Sequence, residues 1–325
     1  MSKHVTPLPR ITIITPSFNQ ADYLEQTILS VLGQGYPNLE YIIIDGGSTD
    51  GSVDIIRKFE GRLAFWVSEK DRGQTHAINK GLRRATGDII GYLNSDDYYL
   101  EGSLACVARY YSRHPDVDLF YGRCRVVDKR GGTIGVWCGS ISRYDEILDL
   151  WDVWWNQRGF VQPEVFWTKR ISDKIGPFRE DLFWVMDYEY WLRILRARCR
   201  VGFVDAEVAA FRLQPEQKSR QPERSAEEQL QVVRPFIFED DFSIGWLKRI
   251  KLKGKWIFHA EFLREVELSR QRGEERWRRL TRLAKFSLLH PQLFAADRFR
   301  ERLLAALAIR KREWCHRSPE KSTER

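Results

Sequence analysis

The sequence predicts an α/β fold, a mostly parallel sheet flanked by helices, with a helical extension at the C-terminal end. Three observations carry this. Short β-branched runs alternate with amphipathic stretches over the first hundred residues, and most of these runs end in glycine- or aspartate-rich turns. From about Arg220 the composition shifts to charged residues with apolar positions at helical spacing.

Ile11 to Thr15 reads as a buried strand, since β-branched residues without alternation suit a strand covered on both faces. Asp22 and Glu25 form a capping-box pattern ahead of Leu24, Ile28, Val31 and Leu32, which share one helical face. Glu40 to Asp45 repeats the strand signal and Gly46-Gly47 ends it, leaving Asp50 to Glu60 as a helix that carries Val53 and Ile56. Leu63 to Val67 is a third strand, Gly73 to Ala85 a third helix, and Asp88 to Leu93 a fourth strand running into Asn94-Ser-Asp-Asp97. Regular strand–helix alternation of this kind is Rossmann-like.

The middle of the chain reads differently. Leu119 to Val127 and Gly132 to Trp137 suggest a hairpin around Lys129-Arg-Gly-Gly132. An aromatic cluster follows at Trp151, Trp154, Trp155, Phe160, Phe166 and Trp167. In the tail, helical spacing joins Trp246, Ile250 and Ile257, then Leu280, Leu283 and Ala284, then Phe299, Leu303 and Leu307. The expected division is a domain over 1–219 and a basic helical region over 220–325.

Of 325 residues, 53 are Lys or Arg and 45 Asp or Glu, a net charge of +8. From Arg220 onward 25 Lys or Arg face 16 Asp or Glu, or +9, so the basicity belongs to the tail. The five cysteines, Cys106, Cys124, Cys138, Cys199 and Cys315, are scattered without CxxC spacing, which favours free thiols over zinc or disulfides. With no apolar run of about 18 residues and no apolar leader in the first ten, the expectation is a cytoplasmic protein, peripheral at most to a membrane's inner face.

In open α/β sheets ligands gather beyond the carboxyl ends of the strands. Asp45 and the pair Asp96-Asp97 fall on that rim and can face one pocket, although adjacent aspartates after a strand also serve as ordinary helix caps. Two further segments belong with them: Thr15-Pro-Ser-Phe-Asn19, and Asp45-Gly-Gly-Ser-Thr-Asp-Gly-Ser52. Taken in order and spacing, these strongly resemble family 2 glycosyltransferases of the GT-A fold, over roughly residues 10 to 220.

The resemblance implies Pro16, Ser17 and Asp45 as nucleoside contacts with Asp50 in support. Ser95-Asp96-Asp97 corresponds to the DxD-like motif, with Asp97 the first metal ligand and Asp96 beside it at the donor nucleotide. A divalent cation, Mg²⁺ or Mn²⁺, would neutralise charge developing on the departing diphosphate, and both ions favour hard oxygen ligands. Phe183-Trp-Val-Met-Asp187-Tyr-Glu189 resembles the acidic motif whose aspartate is the general base, which maps to Asp187; charges stabilising a helix dipole are the plain alternative. The segment Gly73 to Gly81 resembles the helix under the donor. Arg72 and Lys80 would meet the diphosphate or sugar, as Arg212 and Lys218 would, unless the first two lie on a solvated helix face. Gln162 and Glu164 resemble the acceptor-side segment, with Glu189 and the flat face of Trp155 placed there too; a core role for most of the aromatics competes.

One position departs from the pattern. Where family members commonly carry a metal-binding histidine, Phe211-Arg-Leu-Gln214 has glutamine, whose amide oxygen is a weaker ligand, so the third position of the metal shell is Gln214, water or neither. There is no Gln-x-x-Arg-Trp sequence, as processive synthases have, and no glycine-rich lysine loop for nucleotidyl transfer. The expected activity is metal-dependent, inverting transfer from a UDP- or dTDP-sugar to a hydroxyl of a glycan or lipid-linked acceptor, in surface polysaccharide or glycan synthesis. A weakly catalytic nucleotide-binding scaffold of the same fold is the alternative. The basic, tryptophan-bearing segment Trp246 to Phe258 fits either an anionic membrane surface or packing with its charges solvated, and no nucleic-acid module is present.

Overall fold

The computed structural model describes residues 8–214, 217–218, 221–239, 244–262, 281, 285–286 and 288–290. The chain divides into two compact units, Met1–Val232 and Val233–Arg325.

The first unit opens with β1 (Ile11–Ser17), α1 (Ala21–Leu32), β2 (Leu39–Asp45), α2 (Ser52–Lys58), β3 (Phe65–Ser68), α3 (Gln74–Leu82) and β4 (Ile89–Tyr92). It continues through β5 (Tyr98–Tyr99), α4 (Ser103–Arg113), β6 (Val117–Val127), β7 (Thr133–Cys138) and α5 (Tyr144–Ile147). A π-type helical segment, Leu150–Arg158, then leads by a short 3-10 turn to β8 (Val165–Thr168), α6 (Lys169–Ile175), α7 (Met186–Arg196) and β9 (Arg200–Arg212). Helix α8 (Pro222–Phe238) follows. The strands form one sheet in the order β3-β2-β1-β4-β8-β6-β9-β5, with β7 also paired to β6.

The block β3-β2-β1-β4 is parallel, as strand–helix alternation dictates. Every residue of β1 is buried, because the strand has neighbours on both edges and is covered on both faces. Gly81 lets α3 lie close to it: a Cβ there would stand 2.5 Å from Ile14 Cγ2. Beyond β4 the sheet turns mixed, with β8 antiparallel to both β4 and β6, and β9 parallel to β6 but antiparallel to β5. The expected hairpin is β6–β7, pinned by Asp128 Oδ1 accepting from the backbone N–H groups of Arg130 and Gly132.

The capping box expected at Asp22 and Glu25 does not form. Helix α1 begins two residues earlier, with Gln20 as its N-cap and no side-chain cap of its own. Its Ala21 N–H donates instead to Asp50 Oδ2 at 2.9 Å, so a later loop supplies the acceptor a local one would have given.

Of the aromatic cluster, Phe166 and Trp167 belong to the core. Trp167 packs edge-on against Trp191 (ring centroids 5.3 Å apart), beside Phe178 stacked on Tyr190 at 3.7 Å. In the second unit α9 (Trp246–Ile257) buries Leu252, Trp256 and Ile257 and exposes Trp246, Leu247 and Ile250. The tail positions Leu280, Leu283, Ala284, Phe299, Leu303 and Leu307, like Cys315, lie outside the described residues. Among the described residues the four cysteines are free and no helix is long and apolar enough to cross a membrane.

Candidate active site

The carboxyl ends of β1, β2 and β4 converge on one rim. Register places Ser17 at the end of β1 directly beside Asp45 at the end of β2. Asp45 is buried; its Oδ2 accepts from the N–H groups of Gly47 (3.0 Å) and Ser48 (2.9 Å) and from Ser68 Oγ (2.6 Å), and Oδ1 accepts from Ser48 Oγ (2.5 Å). Asp50 accepts from Ala21 N, Ser52 N and Ser52 Oγ. Burial tends to raise its carboxyl, but the Ser52 hydroxyl and these N–H groups hold it below its ordinary value. Both aspartates thus shape the loop that walls the rim. Pro16 lies within β1, and the neighbouring Ser17 Oγ is buried with no partner, a polar atom left over in the pocket wall.

The acidic loop after β4 divides its two carboxylates between inside and outside. Asp97, 1% exposed, turns inward: Oδ1 accepts from the Arg212 N–H at 2.9 Å while Oδ2 is buried without a partner. Asp96 is half-buried, and its Oδ2 accepts from Gln214 Nε2 at 2.5 Å. Burial pushes both above the usual carboxylate range. For Asp97 the adjacent Asp96 charge adds to this, and the Arg212 N–H, the Asn94 amide and the guanidinium oppose it; for Asp96 the Gln214 amide and Arg212 oppose it.

Arg212, expected to face the diphosphate, lies behind this loop at 3% exposure. Its Nε donates to the Asp96 carbonyl (2.9 Å), one terminal nitrogen to the Lys129 carbonyl (2.9 Å) and the other to Gln26 Oε1 (2.5 Å), with Tyr23 and Tyr98 against its face. These bonds tie the acidic loop to the β6–β7 hairpin and to α1, while Thr27 Oγ supports the loop through the Ser95 and Asp97 carbonyls. Replacing Arg212 with Met removes the charged donor from two part-buried carbonyls and from Gln26, so Arg212→Met is expected to lower unfolding stability by roughly 2 kcal/mol in a urea titration; a loss below about 0.5 kcal/mol would contradict this structural role.

On the α3 side, Arg72 is held by Glu180 (2.5 Å) and Lys80 by Glu69 (2.8 Å), so neither side chain waits unpaired. His76 Nδ1 accepts from the Arg72 N–H. A polar relay links Lys218 and Gln162 through Gln74 and Asn94, two residues without a role in the sequence reading. Lys218 Nζ donates to Gln74 Oε1 (3.0 Å), Gln74 Nε2 to Asn94 Oδ1 (2.6 Å), Asn94 Nδ2 to Gln162 Oε1 (3.1 Å) and Gln162 Nε2 to the Tyr92 carbonyl (2.6 Å). Asn94 precedes the acidic loop, so the relay joins it to the opposite wall.

That wall carries Asp187 in the first turn of α7, half-buried, with Oδ1 accepting from the Tyr188 N–H at 2.7 Å. Burial raises its carboxyl to about 6; the Tyr188 N–H and Lys218 pull it down and Glu228 pushes it up. Burial raises the Tyr92 phenol well above its ordinary value, and the charges of both Asp187 and Asp97 add to this. Of the residues expected on the acceptor side, Glu189 and Glu164 point elsewhere and Gln162 is committed to the relay. Glu189 is buried and commits both oxygens to Arg193 Nε (2.9 and 3.0 Å). Glu164 is fully buried, with Oε1 accepting from the Val161 N–H and the carboxyl raised well above its usual range by burial. Gln162 is buried in the relay. Trp155 alone of the four is open, at 37% exposure, with its indole N–H on Gln229 Oε1 (2.6 Å).

The profile described as "Glycosyl transferase family 2" matches residues 12–179, just over half of the chain. The chain belongs to that family. Among curated family relatives, the putative teichuronic acid biosynthesis glycosyltransferase TuaG of Bacillus subtilis is 41% identical over 99 residues, covering 30% of this chain and 39% of TuaG. An uncharacterized glycosyltransferase of Rickettsia felis is 25% identical over 232 residues, covering 68% of this chain and 37% of its own. This chain therefore spans about two fifths of the length of these relatives. Two GT-A structures share the fold. Staphylococcus aureus TarS residues 1–349, solved with UDP, aligns with a TM-score of 0.59 and 18% identity over 80% of this chain and 75% of that one. The mannosyltransferase PcManGT of Pyrobaculum calidifontis, solved with GDP-Man and Mn²⁺, aligns with a TM-score of 0.57 and 21% identity over 96% and 89%.

Proposed function

We propose that this family 2 member transfers a sugar from a UDP- or dTDP-sugar to an acceptor hydroxyl, with inversion and with a divalent cation. The observation that carries the reading is a half-buried carboxyl at Asp187, at the start of α7, and an acidic loop at Asp96-Asp97 whose preceding residue, Asn94, is joined through Gln74 to Lys218, the cation acting on Asp187. UDP stands with TarS and GDP-Man with Mn²⁺ in PcManGT, which supports a nucleotide-sugar donor here.

The residues at the acidic loop fit a cation. No group of three or more His, Cys, Asp or Glu side chains stands ready among the described residues, but Mg²⁺ and Mn²⁺ at diphosphate sites need only one or two carboxylates plus phosphate oxygens. Two carboxylates raised by burial, Asp97 also by the charge of Asp96, gain most from a positive neighbour. Asp96 would be the principal ligand, with the Gln214 amide turned over to present its oxygen, and Asp97 would brace the loop from within. The cation would stabilise negative charge on the departing diphosphate.

The chain's own residues do the rest. Asp45 and Asp50 hold the loop beside which Pro16 and Ser17 take the nucleoside. Asp187 Oδ2 accepts the proton of the attacking hydroxyl, and a carboxyl at about 6 is ionised at neutral pH yet basic enough to do so. Trp155 offers a face for an acceptor sugar. The direct test is a mass-spectrometric screen of nucleotide-sugars for Mn²⁺-dependent hydrolysis; a wild-type protein that turns over none of the UDP- and dTDP-hexoses sinks the reading.

Helix α9 supports a second contact. Trp246, 70% exposed, stands with Leu247 and Ile250 beside Lys248 and Lys251, an apolar strip flanked by cations that suits an anionic lipid surface. Co-flotation with phosphatidylglycerol vesicles, reduced several-fold in Trp246→Ser, is the expected result; equal recovery with neutral vesicles would contradict it.

A further inference from the structure

We infer that the opening of α8 is part of the acceptor side of the site: Glu228 is a positioning residue for Asp187, and Gln229 tethers Trp155. This rests on the reading of Asp187 as base.

Helix α7, which carries Asp187, starts without a cap of its own, since its N-cap residue is Val185 and has no side-chain acceptor. The Glu228 carboxylate supplies one. Its Oε1 accepts from the Phe183 N–H at 3.0 Å, and its Oε2 from those of Trp184 and Val185 at 2.7 and 2.9 Å. Three successive backbone donors leading into the helix therefore converge on one carboxylate that is more than forty residues away in sequence, and they fix the angle at which α7 enters the cleft.

The adjacent side chain acts on the other acceptor element. Gln229 is buried, and its Oε1 takes the Trp155 indole N–H at 2.6 Å. Trp155 sits in the π-type segment Leu150–Arg158, where Gln157 adopts a left-handed conformation with φ at 59°. Wide helical turns and left-handed non-glycine residues need outside support. Arg224, one turn earlier on α8, lies over the Trp184 ring at 5.7 Å. Adjacent residues of α8 thus grip both the helix of the base and the aromatic platform.

The charges around Asp187 fall into place on this view. Lys218, bonded to Gln74 and set over the Phe183 ring at 4.0 Å, favours the ionised carboxylate, and so does the Tyr188 N–H. Glu228 opposes ionisation from the α8 side, and the Tyr92 phenol is the titratable neighbour from β4. Glu228 and Lys218 should therefore move the base in opposite directions.

The experiment uses the full chain, labelled with ¹³C at aspartate carboxyls, and assigns Asp187 by its absence in Asp187→Asn. In the isosteric Glu228→Gln the Asp187 midpoint should fall by about half a unit or more, and in Lys218→Met it should rise. Hydrogen exchange at the amides of Phe183, Trp184 and Val185 should quicken about tenfold in Glu228→Gln while that of β1 stays unchanged. In Gln229→Met the Trp155 indole proton should exchange faster. Unchanged exchange at 183–185, or an Asp187 midpoint that stays put or rises in Glu228→Gln, overturns the inference. Mn²⁺-dependent hydrolysis of UDP-glucose and dTDP-rhamnose, run alongside, judges the parent reading separately. If Asp187→Asn hydrolyses as well as wild type, the base assignment falls, and the tether is still decided by exchange and titration.

Discussion

Asp187→Asn should cut metal-dependent transfer or donor hydrolysis by about 10³-fold while leaving nucleotide binding within about twofold of wild type, the range expected when a general base alone is removed. The substitution keeps the shape and can still accept from the Tyr188 N–H, so α7 should hold its place. The pH profile gives a second signature. Because the base works as a carboxylate and burial lifts it to about 6, activity should decline about tenfold per unit below that pH. A carboxyl at its ordinary value would hold its rate to about pH 4. A variant that keeps its rate, or a wild-type acidic limb nearer 4 than 6, would remove Asp187 from the chemistry.

Asp96→Ala should lower Mn²⁺-stimulated nucleotide binding by at least about tenfold and turnover by about 10²-fold. Asp97→Asn should do much less to metal binding, because an amide oxygen still accepts from the Arg212 N–H and the side chain faces inward. Titration calorimetry with UDP and Mn²⁺ separates the two. The sequence pointed to Asp97 as first ligand; if Asp97→Asn abolishes the Mn²⁺ effect and Asp96→Ala spares it, that order stands and the geometry has been misread.

What the sequence made legible was mostly local. The strands β1, β2 and β4 and the hairpin β6–β7 announce themselves because period and turn chemistry are written in consecutive residues. The rim positions of Asp45, Asp96, Asp97 and Asp187 follow from strand and helix ends. Side-chain direction did not follow: Glu189 reads as a free acid in a helix's first turn, yet one turn on Arg193 claims it. Arg212 reads as a cation for phosphate, yet three distant acceptors enclose it. Glu228 and Gln229 carried no signal at all, because their partners lie at 155 and 183–185 and only tertiary folding brings them together.

The parallel block has a consequence for how such a protein can change. Every residue placed at the nucleoside lies between Pro16 and Asp97, on strands that are neighbours in the sheet and joined by their own helices. The opposite wall is assembled from Trp155, Asp187 and the start of α8, pieces that touch only through the folded whole. On the proposed roles, the nucleoside pocket would be modular, open to exchange as one continuous cassette ending at the seam between β4 and β8, with Arg212 and Gln214 reaching the acidic loop from elsewhere. The proposed acceptor wall would be distributed, and could drift only by coordinated changes on several separate segments.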